Sequence, residues 1–141
     1  VYKRQAILPA AGTPGRAARR LRELDEAGDS VRDLVASLVR IRRILPDDVT
    51  PGYDAALLTE PAEVELREAL EAVPEGLADR PVTEVVARTE ALVGAAQRFF
   101  DDILVNAEEP ALRAARQGLL ASVLAAAPSD IDWGALDVAL G

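Results

Sequence analysis

A chain of 141 residues, half of them apolar and only 4% aromatic, has the length of one domain with a single core. It contains no cysteine and no histidine, which excludes disulfides, thiolate metal sites, thiol nucleophiles and the commonest general base. Its net charge of −8 argues against non-specific binding to nucleic acid, and its longest apolar run is too short to span a bilayer.

The composition predicts the fold class before any element is placed. Ala, Leu, Glu and Arg are abundant and are strong helix formers, so we expect an all-α fold, an antiparallel bundle of five to six helices. Residues 1–15 carry two prolines and two glycines without an apolar period, which predicts a disordered lead-in, with 1–5 a candidate artefact. Residues 16–141 are expected to form the helical domain, a fragment of a longer chain.

Two helices are predicted before the first loop. The first runs from about Arg16 to Ala27 and ends at Gly28. The second begins at Ser30, an N-cap with Asp33 three residues later as a variant of the capping box. Its apolar stripe consists of Val31, Leu34, Val35, Leu38, Ile41 and Leu45. Because these residues recur at helical spacing, the stripe should face the core.

The third and fourth helices are each introduced by a proline that follows a loop. Thr59, with Pro61 in the first turn, opens the third helix, which is predicted to run to about Val73. Pro81 opens the fourth, which is predicted as one continuous helix that reaches Ile103. Its apolar positions are Val85, Val86, Leu92, Val93, Phe99, Phe100 and Ile103.

The last two helices follow an interruption at residues 106–109. Pro110 suits the first turn of the fifth helix, since its missing N–H would have no partner there, and this helix should run to about Ala126. A short final helix is expected after a cap at 128–130, with apolar positions at Trp133, Leu136 and Leu140. We expect one core to contain Phe99, Phe100, Ile103, Leu119 and Leu120.

Paired carboxylates are frequent but predict no chemistry. A di-metal site in a helical bundle needs Glu-x-x-His from two helices, and the chain has no histidine. We interpret the pairs as solvated helix faces and caps, and we expect no catalytic, cofactor-binding or metal-binding residue. The pairs are Glu60/Glu63, Glu65/Glu68, Asp101/Asp102 and Glu108/Glu109.

The arginines of the second and fifth helices are the candidate binding residues. Arg42 follows Leu38 by four residues and therefore falls on the apolar stripe, whereas Arg40 and Arg43 point elsewhere. Arginines beside apolar faces are either paired across the core or exposed where a bundle is open, and both alternatives remain. Glu109 and Arg113 have the spacing of a favourable i,i+4 pair on one helix, which supports a paired interpretation. The candidates are Arg40, Arg42, Arg43, Arg113 and Arg116.

One segment, RFFDDILVNAEEPALRAARQGLL at 98–120, resembles a signature of the bacterial glycyl-tRNA synthetase β subunit. That family runs approximately RFFDxVxVMAExxxLRxNRLxLL. Two more segments agree in the same order, VRIRRIL at 39–45 and ALLTEPAEVEL at 56–66, so that the likeness covers roughly 17–127. The chain departs from the family pattern at Arg43, Asn106, Ala115, Gln117 and Gly118.

The resemblance implies a DALR-type anticodon-binding domain, an all-helical module that closes the β subunit. It implies the anticodon loop of tRNA-Gly as the ligand and makes the five arginines candidate tRNA-binding residues. It also implies that the rest of the β subunit and the α subunit are partners, and that ATP and Mg serve the whole enzyme but not this fragment. We therefore expect a cytoplasmic, non-catalytic domain without a DNA or membrane partner.

An acidic domain is compatible with this function. Every glycine anticodon shares two adjacent cytosines, and bases in single-stranded loops are stacked on aromatic or Arg planes and hydrogen-bonded at their edges. The cytosine N4 amino group donates, so a carboxylate suits it, while arginine suits its O2 atom and the phosphates. The alternative function is a helical module that docks other protein chains and does not bind RNA.

Overall fold

The computed structural model describes residues 14–129 and 131–140, which contain seven α-helices. They are α1 (Pro14–Ala27), α2 (Arg32–Ile44), α3 (Pro61–Glu71), α4 (Val82–Arg88), α5 (Glu90–Asp102), α6 (Pro110–Ala125) and α7 (Trp133–Leu140). No strand occurs among these residues, so the predicted all-α bundle is confirmed. The predicted lead-in lies outside the described residues, except for Pro14 and Gly15 in the first turn of α1.

The junction between α1 and α2 agrees with the prediction only in part. Gly28 adopts a φ of +54°, a left-handed conformation that suits glycine and ends α1 where expected. Ser30, however, is not the N-cap of α2. It lies in a short 3₁₀ turn, Gly28–Val31, where its hydroxyl donates to the carbonyl of Ala27 at 2.5 Å, and α2 begins two residues later.

The start of α3 depends on an acid rather than on the predicted Thr59. Glu60 occupies the N-cap position, and its N–H donates to Oε1 of Glu63 at 3.0 Å, as in a capping box. Pro61 is the first helical residue, as predicted. The Glu60/Glu63 pair was expected on a solvated face, but Glu63 is completely buried.

The predicted continuous helix from Pro81 to Ile103 is wrong, because it is interrupted at Thr89. This buried residue has φ −106° and ψ 7°, and its hydroxyl donates to the carbonyl of Val85 at 2.7 Å. Threonine that bonds back to the preceding turn bends helices. As a result α4 packs against α1, whereas α5 packs against α3 and α2.

The helix boundaries after α5 lie close to the predicted ones. Ile103 is already extended (φ −118°, ψ 132°), so the interruption before α6 is longer than expected. Pro110 begins α6, as predicted. The cap of α7 differs: Oδ1 of Asp132 accepts the N–H of Ala135 at 3.1 Å, two residues beyond the predicted 128–130.

The core consists of two apolar clusters that α2 connects. The first lies among α1, α4, α7 and the first half of α2, and it contains Trp133 and Leu136. The second lies among α3, α5, α6 and the end of α2. The predicted core group belongs to the second cluster, with Phe99, Leu119 and Leu120 fully buried and Phe100 and Ile103 packed at its edge. None of the described helices has the length and apolar content that a membrane crossing requires.

Candidate nucleic-acid interface

The last turns of α2 present three of the candidate arginines. All three are exposed: Arg40, Arg42 and Arg43. Leu38 and Ile41, in the same part of α2, are buried. Among the described residues none of the three forms a salt bridge with a carboxylate. A positive charge near the C-terminus of a helix interacts favourably with the helix dipole, so these arginines do not need acidic partners there. The charge of this turn is therefore available to a ligand.

Arg42 lies on the core side of α2, as its spacing predicts, yet it remains exposed. It lines an open cavity of about 320 Å³ together with Leu38, Leu124 and Trp133. The indole N–H of Trp133 is occupied, since it donates to the carbonyl of Pro128 at 3.2 Å. Arg42 is thus an exposed cation at the edge of an apolar opening in the bundle.

Arg40 contacts the C-terminal part of α5. Its Cζ atom lies 4.3 Å from the centroid of the Phe100 ring, within the range of a cation–π interaction. Phe100 in turn meets the buried Phe99 edge to face, with ring centroids 6.1 Å apart and an interplanar angle of 83°. This contact joins Arg40 of α2 to the RFFD segment at 98–101, and nothing in the sequence indicated it.

Arg116 on α6 is paired inside the bundle and not exposed at its surface. Only 9% of it is exposed, and its Nε donates to Oε2 of Glu63 at 2.7 Å. Its Nη1 donates to the carbonyl of Leu104 at 2.8 Å. Because Glu63 also accepts the N–H of Glu60, this pair connects α6, the start of α3 and the loop after α5.

The side chain of Arg113 also bonds to that loop and not to the carboxylate of Glu109, the partner considered from the sequence. It is half-buried, and its Nη1 donates to the carbonyl of Ala107 at 3.2 Å. One turn along α6, Nε2 of Gln117 donates to Oδ1 of Asn106 at 2.9 Å. Asn106 and Gln117 are two departures from the family pattern, and they bond to each other. The loop at 103–109 is thus held by three side chains of α6: Arg113, Arg116 and Gln117.

The five candidate arginines lie on two helices that pack together, but their surroundings differ. α2 packs against both α5 and α6, so the two arginine-bearing helices are neighbours, as the site prediction required. The guanidinium groups of Arg113 and Arg116 are directed to the backbone of the loop at 103–109. Those of Arg40, Arg42 and Arg43 remain exposed. Whether any of them contacts RNA stays a prediction.

The acids around this region are mostly exposed. Asp101 and Asp102 follow Phe100 directly, and neither forms a salt bridge within the described part of the chain. Arg98, the first residue of the RFFD segment, instead pairs with Glu65 of α3 through Nε at 2.8 and 2.9 Å. These hydrogen bonds hold the pKa of Glu65 below its ordinary value. In residues 14–129 and 131–140 no group of acids could hold a metal ion.

Comparison with known proteins finds several curated relatives of the same name, glycine–tRNA ligase β subunit. The protein of Leptothrix cholodnii is 43% identical over 97 residues, which are 64% of this chain and 14% of the relative. That of Anaeromyxobacter dehalogenans is 42% identical over 116 residues, 76% of this chain and 16% of the relative. That of Dechloromonas aromatica is 48% identical over 100 residues, 66% of this chain and 14% of the relative.

These similarities confirm the family resemblance that the three sequence segments predicted. No family model matches the chain. The matched region spans 14–16% of the length of these three relatives. The similarity therefore concerns a small segment of the β subunit.

Proposed function

We propose that this chain, which is homologous to a segment of the glycine–tRNA ligase β subunit, is a tRNA-binding domain that recognises the anticodon loop of tRNA-Gly. It acts in the cytoplasm as the C-terminal part of that subunit and beside the α subunit. In this proposal the domain contributes RNA recognition, while ATP, Mg and the attachment of glycine belong to other parts of the enzyme.

The observation that carries the proposal is the set of exposed arginines at the end of α2. Arg40, Arg42 and Arg43 have no carboxylate partner among the described residues, although the chain has a net charge of −8. Arginine suits phosphate and base edges because its planar guanidinium offers several fixed N–H donors. The acidic remainder limits non-specific attraction, so binding depends on this local patch.

The neighbouring acids suit the bases that glycine anticodons share. The N4 amino group of cytosine donates a hydrogen bond, and an exposed carboxylate accepts it. Asp101 and Asp102 are exposed and directly follow Phe100, whose ring lies under Arg40. An arginine edge and a carboxylate on neighbouring helices could together bind O2 and N4 of a cytosine.

The two arginines of α6 have a different role in this proposal. Arg113 and Arg116 donate to the carbonyls of Ala107 and Leu104, and both therefore hold the loop at 103–109. We assign RNA contact to the arginines of α2 and positioning of the adjoining loop to those of α6. Replacing Arg116 should then disturb folding, whereas replacing Arg42 or Arg43 should disturb binding alone.

The experiment is a titration of a glycine anticodon stem-loop against the 141-residue chain and its Arg42→Ala and Arg43→Ala variants. Each variant should bind more weakly. Removing one arginine–phosphate interaction should reduce the slope of log affinity against log salt by about 0.7 for single-stranded RNA. A second stem-loop with both cytosines changed to uracil should bind the parent more weakly.

Arg32→Ala is the matched control. Arg32 lies on the same helix, about 15 Å away from Arg42 along the axis, and it pairs with Asp29 at 3.3 Å. This variant should bind RNA like the parent. Equal affinity of the parent for both stem-loops would show that the domain does not recognise the anticodon. Failure of the parent to bind either RNA would favour the protein-docking alternative.

A further inference from the structure

The contact between Arg40 and Phe100 places an exposed guanidinium beside a half-buried aromatic ring. The guanidinium carbon lies 4.3 Å from the ring centroid, within the range of a cation–π interaction. Arg40 is exposed, and no described carboxylate pairs with it. Its outer side is therefore in solvent.

The inner side of this surface is fixed by the core. Phe100 is half-buried and meets Phe99 edge to face at 6.1 Å. Phe99 has no exposed surface and belongs to the cluster that includes Leu119 and Leu120. Arg40 and Phe100 also lie on different helices, and α2 and α5 pack against each other. The ring thus favours a position of the guanidinium beside it before any ligand binds, which lowers the entropy that binding loses.

An exposed guanidinium held beside an aromatic ring suits an unpaired nucleobase. Bases of single-stranded loops stack on aromatic rings or on arginine planes, and every base offers a flat face. The edge of the guanidinium keeps N–H donors that could bind a phosphate or a base carbonyl beside the stack.

We infer that the Arg40–Phe100 pair is a stacking platform for one unpaired nucleobase of the bound RNA. This inference rests on the proposed function and names the element within it that receives a base. In this inference Arg42 and Arg43 provide positive charge to the phosphates of the RNA, whereas Arg40 provides a flat surface for a base. A lysine at position 40 would keep the charge and lose the plane.

The test compares the parent with Arg40→Lys on a series of glycine anticodon stem-loops. In each RNA one loop nucleotide is replaced by an abasic site. For the parent, one position should weaken binding by about 5- to 150-fold when its base is removed, the range for stacking of one base. For Arg40→Lys the same abasic site should have little effect, because the stack is already absent.

Phe100→Leu gives a second variant that keeps apolar volume and removes the ring. It should abolish the same base-dependent difference, and its melting temperature reports whether the fold is intact. Retention of the full base-dependent difference by Arg40→Lys at every position would overturn the platform. If the parent binds and discriminates the cytosines in that case, the proposed function survives without it. If the parent binds no stem-loop, both are overturned.

Discussion

Gly118 lies where the backbone of a loop crosses helix α6. A Cβ atom at this position would clash with the carbonyl oxygen of Gly52 and lie 3.7 Å from Cα of Tyr53. The crossing is held by hydrogen bonds, since the N–H of Gly52 donates to Oγ of Ser122 at 3.0 Å. The same hydroxyl donates to the carbonyl of Gly118 at 2.8 Å. Glycine is a poor helix former, but at this position its missing side chain lets the loop backbone pack closely against α6.

Replacement of Gly118 by alanine should destabilise the fold. Because the obstacle is backbone, the loop at 52–53 would have to move, and forced overpacking lowers the free energy of unfolding by about 1–3 kcal/mol. Urea denaturation followed by far-UV circular dichroism measures the change.

Gly94→Ala is the matched control for this substitution. Gly94 lies inside α5, and the nearest side-chain atoms to an added Cβ are those of the flexible Arg98 guanidinium, at 3.5 Å or more. This variant should gain about 0.5–1 kcal/mol, since alanine is the better helix former. If Gly118→Ala gained stability as Gly94→Ala does, the close crossing of loop and helix would be wrong.

At the scale of elements, one buried ion pair connects α3, α6 and the loop between α5 and α6. Glu63 is wholly buried and accepts hydrogen bonds from Arg116 and from the backbone of Glu60. Arg116 also donates to the carbonyl of Leu104. Buried charges are tolerated when every group has a partner, and here the partners come from three segments.

Removal of one member of this pair should be strongly destabilising. Glu63→Ala leaves the Arg116 guanidinium buried without its counter-charge, so unfolding should become easier by about 3–5 kcal/mol. The double variant Glu63→Leu with Arg116→Met should recover much of that loss, because no buried charge remains. Urea denaturation of each variant measures both changes.

Glu65→Ala is the control on the same helix, since it breaks the exposed pair with Arg98 and should change stability far less. An effect of Glu63→Ala no larger than that of Glu65→Ala would show that the buried network contributes little. The sequence could place Glu63 on α3 and Arg116 on α6. Only the packing of α3 and α6 in the bundle brings the two side chains together.

At the scale of the whole molecule, α2 belongs to both core clusters. Val35 and Leu38 pack in the first cluster with Trp133, and Ile41 packs in the second with Phe99. A break between the clusters would therefore expose apolar surface on α2, which favours unfolding as one unit.

We expect the loss of helix and the exposure of Trp133 to occur together. Trp133, the only tryptophan, is 5% exposed and reports on the first cluster, while far-UV circular dichroism reports on all helices. The two urea transitions should have the same midpoint and the same slope. A fluorescence transition at lower urea than the dichroism transition would show that the first cluster unfolds separately.

The sequence by itself predicted the family resemblance and the helices, except for the division between α4 and α5. Apolar residues at helical spacing, Gly28 after α1 and the prolines that begin α3 and α6 are local signals, and a helix forms through bonds between near neighbours. Local patterns also identified the arginine-rich end of α2 as a candidate binding site and the RFFD segment as part of a family signature. Their order along the chain was enough to indicate the resemblance to the glycine–tRNA ligase β subunit.

Tertiary structure decided the partners of those side chains. The break at Thr89 lets α4 and α5 pack on different helices, and no local stretch of the sequence predicts these packing partners. Arg116 pairs with Glu63, 53 residues away, while Arg40 lies over Phe100, 60 residues away. Whether an arginine is paired or exposed depends on which groups the chain brings within a few ångströms of it. That proximity is a property of the packed bundle and not of any one helix.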